Sequence, residues 1–265
     1  MANSKYEYVK ALFEAEDKLM PSTWIVLRIN GSNFHKFSDE YGFEKPNDER
    51  ALKLMNACAK AMLEEFPDIE FAYGFGDEYN FVFKKTTQFY KRCSSKIVSI
   101  GVSFFMSVYA REWKEFFPDK DLSLKSAPFF KFRTICYPST TIVRDYLAWR
   151  QVDYCHINNQ YNTCFWMLVK SGKNKSEAQD EIKSSRSQDK YEILLKQFNM
   201  NYNELPAIFR KGSCVFRDKV EEKCNGNGQP VERLTSKLVI DHPDIIGDEF
   251  WVDHRHILKG NTTPN

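Results

Sequence analysis

Two adjacent acids, Asp77 and Glu78, lie within Gly74-Phe75-Gly76-Asp77-Glu78-Tyr79-Asn80-Phe81-Val82-Phe83, with apolar residues on both sides. Glycine ahead of paired acids is turn chemistry, so the stretch reads as two strands closed by a tight turn with carboxylates at its tip. An earlier apolar run at 24–29 ends in Asn30-Gly31. Carboxylate, amide and a glycine carbonyl are hard oxygen donors. Magnesium takes such donors alongside substrate phosphates and water. Two such ions side by side can hold the attacking and leaving oxygens of a phosphoryl transfer. Acids at hairpin tips are also common where no chemistry occurs, so Asp77-Glu78 alone signifies only a turn. Two neighbours strengthen the chemical reading. Asn30-Gly31 closes a strand that can lie beside the turn. Lys91, Arg92 and Lys96 follow the second strand, and Arg92 and Lys96 are spaced to share a helical face that would offset a triphosphate.

The elements that must position these residues follow from periodicity. Asn47 or Asp48 can cap a helix, with Glu49 at the positive end of its dipole. Ala51, Leu54, Met55, Cys58 and Met62 recur at helical spacing until Pro67. Strands are expected at 69–75 and 79–83. A second helix is expected over about 87–117, with the stripe Phe89, Cys93, Ile97, Ile100, Phe104 and Val108, and Pro118 stops it. Residues 132–137 read as a fourth strand. The order β-α-β-β-α-β is the ferredoxin-like split motif of an α+β fold. Its first and third strands are central and antiparallel neighbours, which brings Asn30 and Asp77 together on one rim of the sheet.

The expected domains are 1–137 and a mainly helical half, 138–265, closed by a hairpin at Asn225-Gly226-Asn227-Gly228. In that half Ser139 caps a helix carrying Ile142, Val143, Tyr146 and Leu147. The polar run Asp153-Tyr154-Cys155-His156-Ile157-Asn158-Asn159 leads into another helix, and shorter helices are expected at 176–184 and 188–198.

The chain has 265 residues, 42% hydrophobic and 15% aromatic, and a net charge of only +2, so any basic surface must come from local clustering. Its seven cysteines contain no CxxC pair, which suits reduced thiols in the nucleus or cytoplasm better than a disulfide framework. Cys155-His156 has no second pair at zinc spacing and reads as a packed thiol beside a polar ring. No run approaches the length of a membrane span, and no apolar signal core follows Met1.

Many ordered segments resemble eukaryotic tRNA-His guanylyltransferases, with wording closest to plant members. They are Met1-Ala2-Asn3-Ser4-Lys5-Tyr6-Glu7-Tyr8-Val9, Arg28-Ile29-Asn30-Gly31-Ser32-Asn33-Phe34-His35, Lys45-Pro46-Asn47-Asp48, Ala72-Tyr73-Gly74 onward, Trp149-Arg150-Gln151, His156-Ile157-Asn158-Asn159, Tyr161-Asn162-Thr163, Phe198-Asn199-Met200-Asn201-Tyr202 and Arg210-Lys211-Gly212. The resemblance implies a polymerase- or cyclase-like palm and addition of guanosine to the 5′ end of tRNA-His. In that reaction ATP first adenylylates the 5′-monophosphate, and the 3′-hydroxyl of GTP then attacks. It also implies two Mg2+ ions, a homotetramer and recognition of the tRNA anticodon.

Carried over by position, the resemblance makes Asn30, Gly31 and Asp77 metal ligands and Asp77, Glu78 and Asn30 catalytic. It makes Asn30, Gly31, Ser32, Asn33, Phe34, His35, Lys45, Asp48, Gly76, Asp77, Lys91, Arg92 and Lys96 nucleotide-binding. It ties His156, Asn158, Lys190, Asn201 and Lys211 to tRNA. The chain departs from that family at its most sensitive place. Asn30 stands where the family has a metal-binding Asp, Gly76 where a Ser precedes the catalytic Asp, Cys93 where an Arg contacts phosphate, and Ser32 where a basic residue flanks the loop. Tyr154 resembles a one-residue insertion. The alternatives are a weakened tRNA- or GTP-binding paralogue working in a mixed oligomer with an active copy, and a palm-type GTP cyclase, whose hairpin signature Phe75-Gly76-Asp77-Glu78-Tyr79 resembles.

Overall fold

A computed structural model of the chain describes residues 4–14, 16–226 and 229–259. The first half runs α1 (Tyr8–Phe13), β1 (Trp24–Ser32), α2 (Phe34–Glu40), α3 (Glu49–Glu65), β2 (Ile69–Phe75), β3 (Glu78–Phe83), α4 (Ser94–Phe116) and β4 (Phe129–Tyr137). The second continues with α5 (Thr140–Trp149), a π-helical turn (Arg150–Ile157), α6 (Asn158–Lys170), α7 (Lys175–Ile182), α8 (Ser187–Phe198), α9 (Ala207–Lys211), β5 (Ser213–Gly226), β6 (Gln229–Asp241) and α10 (Glu249–Asp253).

The six strands form one antiparallel sheet in the order β4-β1-β3-β2-β5-β6. β1 and β3 are adjacent, as the split motif requires, and Asn30 lies opposite Glu78. Strand alternation divides the chain between two cores. Ile25, Leu27 and Ile29 of β1, with Tyr79, Phe81 and Phe83 of β3, pack under α3 and α4. Trp24, Val26 and Val82 face the other way, against Val143, Tyr146 and Leu147 of α5 and against α10. A third cluster unites α6, α7 and α8. Among the described residues no helix is long and apolar enough to cross a membrane.

Local chemistry explains most boundaries. Asp48 caps α3, accepting from Arg50 N at 3.0 Å, and Ser139 caps α5, accepting from Ile142 N at 3.3 Å. Gly76 sits at φ 54°, the left-handed conformation a hairpin tip demands and glycine adopts without strain. Three expectations change. The second helix begins at Ser94 rather than near 87, because Tyr90, Lys91 and Arg92 take φ of 47°, 53° and 62° in a preceding turn. The polar run 153–159 is helical throughout, continuous with α5 and α6. The late hairpin joins the main sheet, with β5 pairing on β2 from Phe71↔Phe216 to Gly74↔Ser213. Of the turn expected there, Asn227 and Gly228 fall outside the described residues, as do Met1, Ala2 and Asn3.

Candidate active site

The end of β1 and the tip of the β2–β3 hairpin meet at Gly31 and Asp77. Gly31 N donates to Asp77 O at 3.0 Å. A Cβ at position 31 would lie 2.4 Å from Asp77 Oδ2 and 2.8 Å from Phe34 Cδ2, so glycine is what lets the carboxylate in. Asp77 is half-buried, and among the described residues no basic side chain forms an ion pair with it. Burial lifts its carboxyl to about 6. Glu78 adds to the rise and Arg28 only partly offsets it.

Asp77 and Gly31 line a cleft of about 430 Å³ with Asn33, Phe34, His35, Lys45, Asp48 and Gly76. Phe34 anchors its floor against Phe37, Phe43 and Phe130. Lys45 is pinned by Asp39 at 2.9 Å and by Ser38 Oγ at 2.8 Å. Asp48 is largely committed to the loop. Its carboxylate accepts from Glu44 N and Arg50 N at 3.0 Å and pairs with the Arg50 guanidinium at 2.7 Å. Burial alone would raise that carboxyl, but these donors hold it below the ordinary range. A second cavity of about 200 Å³ adjoins the first, sharing Asn47, Leu52, Gly76 and Asp77 with it. It joins Gly76 and Asp77 to Tyr154, Asn158 and Asn162.

Asn30 does not line either cavity around Asp77. It borders a shallow cleft of about 210 Å³ with Arg28, Lys131, Phe132 and Arg133. Alternation explains this: Asn30 and Glu78 are cross-strand partners, one residue out of phase with Gly31 and Asp77. Glu78 therefore faces away from the cleft, where its carboxylate is 1% exposed and fully engaged. Oε1 accepts from Arg150 Nε at 2.8 Å and Asn80 Nδ2 at 3.0 Å, while Oε2 accepts from Arg28 Nε at 3.0 Å and from Arg150 Nη2. This corrects the expectation of Glu78 as a catalytic group, since no lone pair is left over for a cation. Among the described residues no group of three His, Cys, Asp or Glu is placed to hold a metal ion. A cation would rest on Asp77, the Gly31 carbonyl and an amide oxygen, a mixed set that suits magnesium.

The basic residues divide. Lys91 and Lys96 are exposed, but Arg92 is 2% exposed and does not share a face with Lys96. It donates to Thr87 O at 3.2 Å, Met20 O at 2.6 Å, Thr23 O at 2.9 Å and Thr23 Oγ1 at 3.0 Å, a structural tie rather than a phosphate contact. Ser32 ends β1 and Asn33 precedes α2 at φ 54°. The residues tied to RNA are also dispersed in role. His156 packs edge-on to Tyr202, and burial lowers its pKa. Lys190 is 7% exposed and donates to Ser185 O at 2.6 Å. Asn201 holds a turn through Asn203 N at 3.1 Å and Glu204 at 2.8 Å, and Lys211 O accepts from Tyr73 and Gln151. Asn158 alone of this set opens onto Asp77's surroundings.

The sequence assigns no role to Arg28, Lys131 or Arg133, and Trp149-Arg150-Gln151 reads there as a group able to stack on or pair with RNA, whereas Arg150 and Gln151 are 1% and 2% exposed.

Comparison with known proteins follows this geometry. Residues 6–138 match the profile described as "tRNAHis guanylyltransferase", and residues 141–247 match the "Thg1 C terminal domain". "tRNA(His) guanylyltransferase 1" of Arabidopsis thaliana is 58% identical over 93% of this chain, which spans only 42% of that protein's length. The "Probable tRNA(His) guanylyltransferase" of Dictyostelium discoideum is 48% identical over 97% of this chain and 99% of its own. The crystal structure of the Saccharomyces cerevisiae enzyme superposes with a TM-score of 0.76 at 41% identity, covering 87% of this chain and 96% of that one. A bacterial guanylyltransferase-like protein in complex with ATP shares the fold at 20% identity, with a TM-score of 0.72 over 97% of this chain and 98% of its own.

Proposed function

The chain belongs to the tRNAHis guanylyltransferase family, and we propose that it adds guanosine to the 5′ end of tRNA-His by nucleotidyl transfer at Asp77. The observation that carries this is the Asp77 carboxylate. It is half-buried and free of any ion pair among the described residues. It is pressed against Gly31 at the edge of a cleft large enough for a nucleotide. A magnesium ion there would be held by Asp77 and the Gly31 carbonyl, with Asn30, which lines the neighbouring cleft, as the third oxygen donor the family resemblance implies. A second ion would draw its ligands mainly from substrate phosphates. When bound, the ions supply charge for the phosphate oxygens.

The chain's own residues do the rest. Phe34 and His35 border the cleft where a base and ribose would lie. Lys45, fixed by Asp39 and Ser38, presents an ammonium at its mouth. Lys91 and Lys96 are exposed past the far end of β3 and line neither cavity at Asp77, so the charge that meets a triphosphate there comes from Lys45. Arg28, Lys131 and Arg133 line the cleft with Asn30; Arg28 is paired with Glu78 at 2.9 Å, so the cleft's net positive charge comes mainly from Lys131 and Arg133. ATP and GTP are the substrates this reading requires, and the bacterial neighbour's complex with ATP supports a nucleotide in this fold. The architecture is a palm, with α6 to α9 meeting the RNA, and the assembly is a homotetramer working in the nucleus or cytoplasm.

The deciding assay uses 5′-phosphorylated tRNA-His transcript with ATP, GTP and magnesium. A labelled guanosine at the 5′ end supports the reading, and its complete absence at any magnesium concentration overturns it. The position of Asn30 away from Asp77 favours one other outcome, normal tRNA-His affinity without turnover, which would mark a binding paralogue acting beside an active copy. A cyclic dinucleotide formed from GTP alone would instead mark a cyclase.

A further inference from the structure

We propose that Tyr154 and Arg150 form a strap that fixes the hairpin tip in place, making Tyr154 a positioning residue for the Asp77 site. The proposal rests on the nucleotidyl-transfer reading only for what the strap serves. Its geometry stands independently.

The strap begins in the π-helical turn at Arg150–Ile157, between α5 and α6. Wide turns of this kind place one extra residue on a helix face, and they recur at functional sites. This turn grips three separate segments. Gln151 Nε2 donates to Lys211 O at 2.8 Å and Pro243 O at 2.9 Å, and its Oε1 accepts from Ile245 N at 2.8 Å. Arg150, 1% exposed, reaches across to Glu78, the residue that follows Asp77. Its Nη1 is buried without a hydrogen-bond partner.

Aromatic rings surround the guanidinium. The guanidinium carbon lies 3.4 Å from the Tyr154 ring centroid, 5.2 Å from Trp149 and 5.6 Å from Phe75. Tyr154 meets Trp149 edge-on at 5.0 Å. The cation is thus clamped between a carboxylate and a ring, and sliding of Arg150 would release Glu78. Glu78 is paired with Asn30 in register, and the next residue pair, Gly31 and Asp77, is the candidate cation site. Tyr154 also lines the cavity beside Gly76 and Asp77. Its hydroxyl makes no hydrogen bond among the described residues, so the ring face is what the strap uses.

The test uses Tyr154→Phe, Tyr154→Leu and Asp77→Ala in the full chain. Tyr154 is 36% exposed, so leucine is accommodated without opening a core cavity. Tyr154→Leu is expected to speed amide hydrogen exchange at Gly31 and at residues 74–80 by about fivefold or more. It is expected to weaken Mn2+ binding, read by the resonance of free Mn2+, by about tenfold and to lower kcat with the KM for GTP unchanged. Tyr154→Phe keeps the ring face and restores all three. Exchange and Mn2+ affinity within twofold of the parent in Tyr154→Leu would overturn the strap. Unchanged Mn2+ affinity in Asp77→Ala would instead remove the cation site, while the exchange measurement still decides the strap.

Discussion

Gly31 and Asp77 are in contact through both main chain and side chain. The 3.0 Å hydrogen bond from Gly31 N fixes the register, and the missing Cβ leaves room for Oδ2. Gly31→Ala would push a methyl carbon to 2.4 Å from that oxygen and 2.8 Å from Phe34. Phe34 is held by its ring neighbours while the Asp77 carboxylate can move only into the cleft, so overpacking should cost about 1–3 kcal/mol of stability. The carboxylate should also swing away, with Mn2+ affinity and guanosine addition falling at least tenfold. An alanine variant with parental metal affinity would show that the contact does not shape the site.

Burial, with the charge of Glu78 adding to it, disfavours the ionised form of Asp77 and raises its carboxyl to about 6. A raised carboxyl pKa means that the ligating anion is present above about 6 and lost below it. Metal affinity and activity should therefore fall as pH drops through about 6, and higher Mg2+ should move that limb to lower pH by competing with the proton. A profile from pH 5 to 8 at two magnesium concentrations checks this. Asp77→Asn should abolish both the limb and the activity.

Asn30→Asp should tighten dication binding, but by less than simple electrostatics gives. A unit charge about 4 Å from a cation is worth ~4 kcal/mol at an effective dielectric of ~20, close to a thousandfold. Arg28, Lys131 and Arg133 line the same cleft as residue 30 and would claim much of that carboxylate. An increase of about tenfold in Mn2+ affinity is expected. Calorimetric titration with Mn2+ reads it, and no increase would mean that the three cations neutralise position 30 entirely.

Glu70 carries a buried Oε2 without a hydrogen-bond partner, and burial raises its carboxyl to about 7. The proton is bound more tightly in the folded chain than in the unfolded one. This group's penalty is therefore absent at pH below 4.5 and fully developed above about 7. Because the side chain is only partly buried, Glu70→Gln should stabilise the protein at pH 8 by about 1–2 kcal/mol. At pH 4 it should change little. Thermal unfolding at the two pH values separates these outcomes.

Arg92→Met tests whether that guanidinium serves nucleotide or fold. It removes four hydrogen bonds to Thr87, Met20 and Thr23 from a side chain 2% exposed. A loss of about 3 kcal/mol, or about 6–12 °C in Tm, is expected. GTP affinity of the folded protein should stay within twofold, and a large fall in that affinity would return Arg92 to the nucleotide site.

Legibility followed the range of the interactions. The capped helix at Asp48 was open to reading from local spacing, and the neighbouring strand order and the meeting of Asn30-Gly31 with the hairpin followed from the β-α-β-β-α-β order of locally legible elements. The error over Glu78 was one of phase. Period-two alternation already says that residues 77 and 78 point to opposite faces, and treating them as one acidic pair ignored it. Arg92 was misplaced because three successive left-handed residues, none of them glycine, carry no compositional signal. The pairing of β5 with β2 joins residues about 140 apart in sequence, beyond any local pattern.

That last pairing has a practical corollary. β2 offers hydrogen-bonding groups from Phe71 to Gly74 that only β5 satisfies, and the same segment's Phe71 and Tyr73 lie in the core shared with Phe216 and Cys214. A fragment stopped near residue 138 would carry the whole candidate catalytic rim yet display a bare, greasy ribbon border. Such borders recruit any strand they meet, so the isolated piece should precipitate or stack with its own kind rather than serve as a minimal enzyme.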